Sequence, residues 1–195
     1  MLMRWPYPRA RNGFSLIELM LSLSLGSVLF LLLIQWIGVD LQLGSTMATR
    51  LRESALQRRT LELIRDELAL GSDWSVDPQP SMGWPCAMAG RRPVLAISLE
   101  PSSESIALNS IIYSVGPAPS PIWRGQVLMR CGPAYGLDGA VRAGGKALNR
   151  VLVDGLPQDD SGFRARLDPR TQVLHLQLEQ LVAGGPGRVR SNAVF

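Results

Sequence analysis

The sequence predicts an α+β protein: a long N-terminal spine helix, transmembrane in its first half, packed on a C-terminal head built from an antiparallel β-sheet. Three observations carry that expectation. From Leu19 to Val39 the chain runs 21 residues without a charge. No proline interrupts it between Pro8 and Pro78. After residue 71, short apolar runs alternate with turn chemistry, a pattern of strands following one helix. The 195 residues allow one domain or one domain plus an appendage. A hydrophobic content of 46% against 18% charge excludes disorder as a global description.

The first element is the apolar run. At 1.5 Å per residue, about 20 residues cross a ~30 Å hydrocarbon layer. The run is apolar nearly all round, unlike a surface helix with one greasy stripe. A buried core helix of this length and uniformity is the alternative. A cleaved secretory signal fits less well, because the run is too long and no small-residue cleavage site follows it. Arg4, Arg9 and Arg11 precede it. A positive N-terminal flank favours a cytoplasmic N-terminus and places the chain after Val39 outside.

Glu18 stands one turn into this apolar segment. An unpaired carboxylate in a membrane costs at least a few kcal/mol, so a partner is expected. No Lys or Arg lies nearby on the same stretch, and an amino terminus created just before Phe14 would serve. The hexapeptide Gly13-Phe14-Ser15-Leu16-Ile17-Glu18 resembles the processing site of type IV prepilins and pseudopilins. The resemblance covers about residues 9 to 40 and is closest to PilW-type minor pilins. It implies leader cleavage between Gly13 and Phe14, and N-methylation of Phe14, by a prepilin peptidase that is also an N-methyltransferase. It also implies pairing of Glu18 with the Phe14 amine of a neighbouring subunit during assembly. One departure is Gln35, which stands where many major pilins carry a helix-loosening proline.

With that resemblance the chain divides into a leader at 1–13, a transmembrane and filament-core helix at 14–40, an amphipathic continuation at 41–70 and an extracytoplasmic β-rich head at 71–195. In the continuation, Met47, Leu51, Leu61, Ile64 and Leu68 fall at helical spacings and predict a packing stripe. A helix from Ser15 to Leu70 would be ~80 Å long. Gly71-Ser72-Asp73 is its expected stop. Arg50, Arg52, Arg58, Arg59 and Arg65 are interspersed with acids, which reads as a solvated face rather than a nucleic-acid footprint.

Expected strands in the head are Pro93–Leu99, Ile106–Val115, Ile122–Met129, Arg150–Val153, Phe163–Leu167 and Thr171–Leu178. The last alternates Leu174, Leu176 and Leu178 with His175 and Gln177, the period of a half-buried strand. Cys86 and Cys131 are too far apart in sequence for a redox motif, and one histidine is too few for a zinc site. Outside the cytoplasm a disulfide is the favoured reading, with two buried thiols as the alternative. Trp74, Trp84 and Trp123 read as core or loop anchors.

No constellation for catalysis appears. A Ser-His-Asp or Cys-His arrangement would rest on His175, which the pattern places mid-strand on the face opposite the leucines. Asp159-Asp160 sits in a turn without the spaced oxygens of a calcium loop. No cofactor or metal is expected. The formal net charge is +4. Residues 1–13 hold three arginines and no acid, so the chain without them carries 17 basic and 16 acidic residues. The basic balance is therefore a leader and topology signal, and nucleic acid is not expected as a direct partner. The resemblance implies a non-enzymatic subunit of the inner membrane and then of a pilus. Its partners would be the prepilin peptidase, other pilin subunits and the inner-membrane platform of the machinery. A pseudopilin of a type II secretion system, with a periplasmic destination, and an uncleaved bitopic membrane protein are the alternatives.

Overall fold

The computed structural model describes residues 15–99, 109–141, 146–184 and 187–195. The chain divides into two compact units, Met1–Ser45 and Thr46–Phe195. One helix, α1 (Leu16–Leu70), contributes to both. Eight strands follow it. β1 (Asp73–Val76), β2 (Arg92–Ser98), β3 (Ser110–Pro117), β4 (Gln126–Pro133) and β5 (Ala147–Leu156) form a five-stranded antiparallel meander in that order. β6 (Phe163–Leu167), β7 (Leu174–Leu181) and β8 (Arg188–Val194) form a second, three-stranded antiparallel sheet. The fold is α+β, as the sequence predicts.

α1 ends where the glycine stands. The Gly71 amide still donates to the Glu67 carbonyl at 3.0 Å. A Cβ at position 71 would collide with the Ile97 side chain, so the chain leaves the helix against β2 only without a side chain. The next residues then pair as β1, with Trp74 opposite Ile97.

Within the second unit, strand alternation sorts the side chains of the five-stranded sheet onto two faces. Ile111, Tyr113 and Val115 of β3 join Leu61 and Ile64 of α1 in the main core, together with Phe163, Leu174, Leu176 and Leu178 from the second sheet. Ile112, Met129 and Cys131 lie on the opposite face and are buried as well. Cys131 is bonded there to Cys86, with Cα atoms 6.1 Å apart, which lays the long β1–β2 connection on that face.

Two expected strands are displaced. The Ile122–Met129 strand is instead β4, from Gln126 to Pro133. Ile122 is a 77% exposed turn residue, and the Trp123 amide closes the turn on the Ser120 carbonyl at 3.2 Å. Gly125, at φ +56°, finishes that turn where a Cβ would meet the Leu156 carbonyl at 3.0 Å. The Thr171–Leu178 strand starts instead at Leu174. Asp168 and Val173 close a turn around Gln172, which adopts φ +56°. Phe163–Leu167 agrees residue for residue with β6. β1 and β8 were not expected: β1 has four residues, and β8 keeps every side chain at least partly in solvent. Residues 106–108 of the expected Ile106–Val115 strand lie outside the described residues.

Candidate functional site

Gly13 and Phe14 lie outside the described residues. Glu18 occupies the first turn of α1, with its Oε2 accepting the Ser15 backbone N–H at 3.3 Å. Ser15 and Glu18 have the spacing of a capping box, in which the acid three residues in satisfies a backbone donor the helix leaves open. A carboxylate there also lies at the positive end of the helix dipole. This partner in the same chain stands beside the amino terminus that the sequence suggests for Glu18. The S-x-x-E spacing was the signal.

Beyond Glu18, Leu16–Trp36 is long and apolar enough to cross a membrane, with a mean hydropathy of 2.3 and no buried residue. Three of its hydroxyls are closed off within the helix. Ser22, Ser24 and Ser27 donate their hydroxyls to the carbonyls of Leu19, Leu21 and Ser24 at 2.8–3.0 Å. In hydrocarbon a hydroxyl group needs such a partner, and for these three serines the helix supplies it.

The helix half in the second unit meets the sheets with a different chemistry. The expected stripe is only partly used: Leu61 and Ile64 are buried and Leu68 packs at the margin, whereas Met47 and Leu51 are exposed. The face against the head is completed by Glu53, Gln57, Thr60 and Glu67, all buried. Glu67 is fully enclosed. Arg130 of β4 donates Nε to its Oε1 at 2.6 Å, and the hydroxyls of Tyr113 and Tyr135 also donate to the carboxylate. Tyr135 lies under the guanidinium, 5.1 Å from ring centroid to Cζ. Arg130 Nη1 donates to the Pro133 carbonyl at 3.1 Å. Burial first, and the neighbouring Glu67 second, hold the Tyr113 phenol well above its ordinary value of 10.0. The Tyr135 phenol is raised by the same causes in the same order.

Nearer the start of that half, Gln57 receives the Ser191 hydroxyl at 2.7 Å and donates to the Val189 carbonyl at 3.1 Å. Glu53 accepts the Ala183 amide at 3.0 Å. Glu179 of β7 is clamped by Arg188 and Arg190 at 2.7 Å each, and these two hydrogen bonds keep its carboxyl below the ordinary value. Sequence hydropathy missed this polar junction because buried polar groups count only where a partner meets them.

The other singled-out residues stand apart. His175 is on the solvent face of β7. Asp159 and Asp160 sit in a turn where the Ser161 hydroxyl caps Asp159. Among the described residues no cluster of His, Cys, Asp or Glu has the makeup of a metal site. Arg50, Arg52, Arg58, Arg59 and Arg65 are all exposed on α1. Trp74 packs against the main core, Trp84 is half-buried in the β1–β2 connection and Trp123 is 37% exposed in the β3–β4 turn.

The prokaryotic N-terminal methylation motif matches residues 8–34. No curated protein and no solved structure matches the chain. The motif supports a protein of the type IV pilin-like class, pseudopilins included. It carries with it processing by a prepilin peptidase, assembly with other pilin-like subunits and anchoring in a membrane through the apolar helix.

Proposed function

We propose that this chain is a minor-pilin-like structural subunit of a type IV pilus. Its leader, residues 1–13, is removed between Gly13 and Phe14, and Phe14 is N-methylated. The three leader arginines keep the N-terminus cytoplasmic, so the head, residues 71–195, lies outside. The subunit then leaves the inner membrane for the filament through Leu16–Trp36, and Glu18 sets its register against the Phe14 amine of the next subunit. The observation that carries this reading is the methylation motif at residues 8–34, whose apolar helix, Leu16–Trp36, has no buried residue. Gln35, in place of a proline, favours a minor over a major subunit.

The Glu18 role has its own test. Glu18→Ala is expected to enter the membrane normally and to lose most of its incorporation into sheared filaments, read by immunoblot of the two fractions. Full incorporation of Glu18→Ala would remove the pairing role. The capping contact with Ser15 alone is worth about 1 kcal/mol of helix stability and would leave incorporation largely intact.

A further inference from the structure

The three-stranded sheet turns Leu174, Leu176 and Leu178 to the core and presents its other face to solvent. On that outer face the strand register places Arg164, Gln177 and Asn192 in one row, with Arg166 and His175 in the next. These five side chains line a groove of about 400 Å³, and no carboxylate lines it. Arg164 is steadied by donating Nε to the Asp160 backbone carbonyl at 2.6 Å, an interaction that leaves its terminal nitrogens available. Arg166 makes no ion pair among the described residues. Arg164 and Arg166 also border a neighbouring concavity that holds Asp77 and Asp160. There Arg92 is neutralised by Asp77 at 2.9 Å and Asp160 at 3.7 Å.

We propose that this groove binds an acidic oligosaccharide. Two residues along a strand set Arg164 and Arg166 about 7 Å apart on one face, so they grip two acidic groups rather than one. Guanidinium–carboxylate hydrogen bonds are the strong, directional contacts available to a surface groove. Gln177 and Asn192 lie beside them in the same row and offer both donors and acceptors, which is what sugar hydroxyls require. His175 is the one aromatic ring lining the groove, so the bases of a single-stranded nucleic acid would lack the successive stacking platforms that such binding uses. Asp160 and Asp168 stand at its margins, beside Arg164 and His175, and Asp77 lies in the adjoining concavity. They oppose the flanking phosphates of a long polyanion and tolerate a short acidic ligand.

The test is calorimetric titration of the full chain in detergent micelles with tetragalacturonate, its fully methyl-esterified counterpart and a short DNA duplex. Tetragalacturonate is expected to bind, and the ester to bind at least roughly tenfold more weakly, since it keeps the hydroxyls and loses the charges. Arg166→Gln and Asn192→Ala, on different strands, are each expected to weaken tetragalacturonate by roughly tenfold without changing the circular dichroism spectrum. Arg58→Gln, on α1 and outside the groove, is expected to bind as the parent does. Absence of tetragalacturonate binding overturns the proposal, as does equal binding of the ester or indifference to both groove variants. Tighter binding of the duplex, lost in Arg166→Gln, would reassign the groove to nucleic acid.

Discussion

Residues 16–36 of α1 hold large apolar side chains that none of the described residues covers, whereas residues 53–67 bury Glu53, Gln57, Thr60 and Glu67. The two stretches belong to one helix and satisfy its surface in opposite ways. The first relies on its surroundings: any apolar medium will do, because the hydrophobic effect is non-directional. The second relies on named partners at hydrogen-bond distance, because a buried polar group without one is costly. A membrane anchor that must later move into a filament is suited by the first arrangement, and the attachment of a helix to its own head by the second.

The comparison breaks most readily at Glu67. Glu67→Ala leaves Arg130 buried without its carboxylate and two tyrosine hydroxyls without an acceptor. It is expected to destabilise the head by about 3–5 kcal/mol, measured by urea titration of the full chain in detergent through tryptophan fluorescence. A loss under about 1 kcal/mol would mean that apolar packing at Leu61 and Ile64 holds the junction, and the contrast between the halves would fall.

Alkali sharpens the same point with a smaller effect. Tyr113 keeps its proton in the folded state above its ordinary value of 10.0, while in the unfolded chain the phenol ionises from that pH upward. The contribution is therefore complete below pH 10.0 and is lost as pH rises toward the folded value. Stability is expected to fall by about 1.4 kcal/mol per pH unit from this one group. In Tyr113→Phe the decline above pH 10 should be shallower than in the parent; an unchanged slope would place the titration elsewhere.

The smallest effect is expected at Leu51, 69% exposed on the second half of α1. Leu51→Ser should change the unfolding free energy from urea titration by no more than about 0.5 kcal/mol, as surface changes usually do. A larger loss would show that the stripe read from the sequence is used after all.

Legibility in the sequence follows the same division. The apolar helix needs no partner to be seen, so Leu19–Val39 and the motif ending at Glu18 stood out from the residues alone. β6 was legible residue for residue, and the leucine alternation of β7 was legible except for its start. That start moved because Gln172 takes a positive φ that no alternation pattern encodes. β8 escaped because Arg188, Arg190 and Asn192 make its pattern look like a loop, and only pairing with β7 makes it a strand. The junction escaped for a related reason. Glu53, Gln57 and Glu67 resemble solvent-facing residues until Ala183, Ser191 and Arg130 are brought to them across 63 to 134 positions of sequence. In the groove on the outer sheet face, His175 was noticed singly, while Arg164 and Arg166 become its neighbours only through the β6–β7 register.

Everything proposed for the helix depends on processing between Gly13 and Phe14. Mass spectrometry of the N-terminal peptide of the protein isolated from its native membrane tests it most directly. A chain beginning at an N-methylated Phe14 is expected. A mature protein that still begins at Met1 would contradict it.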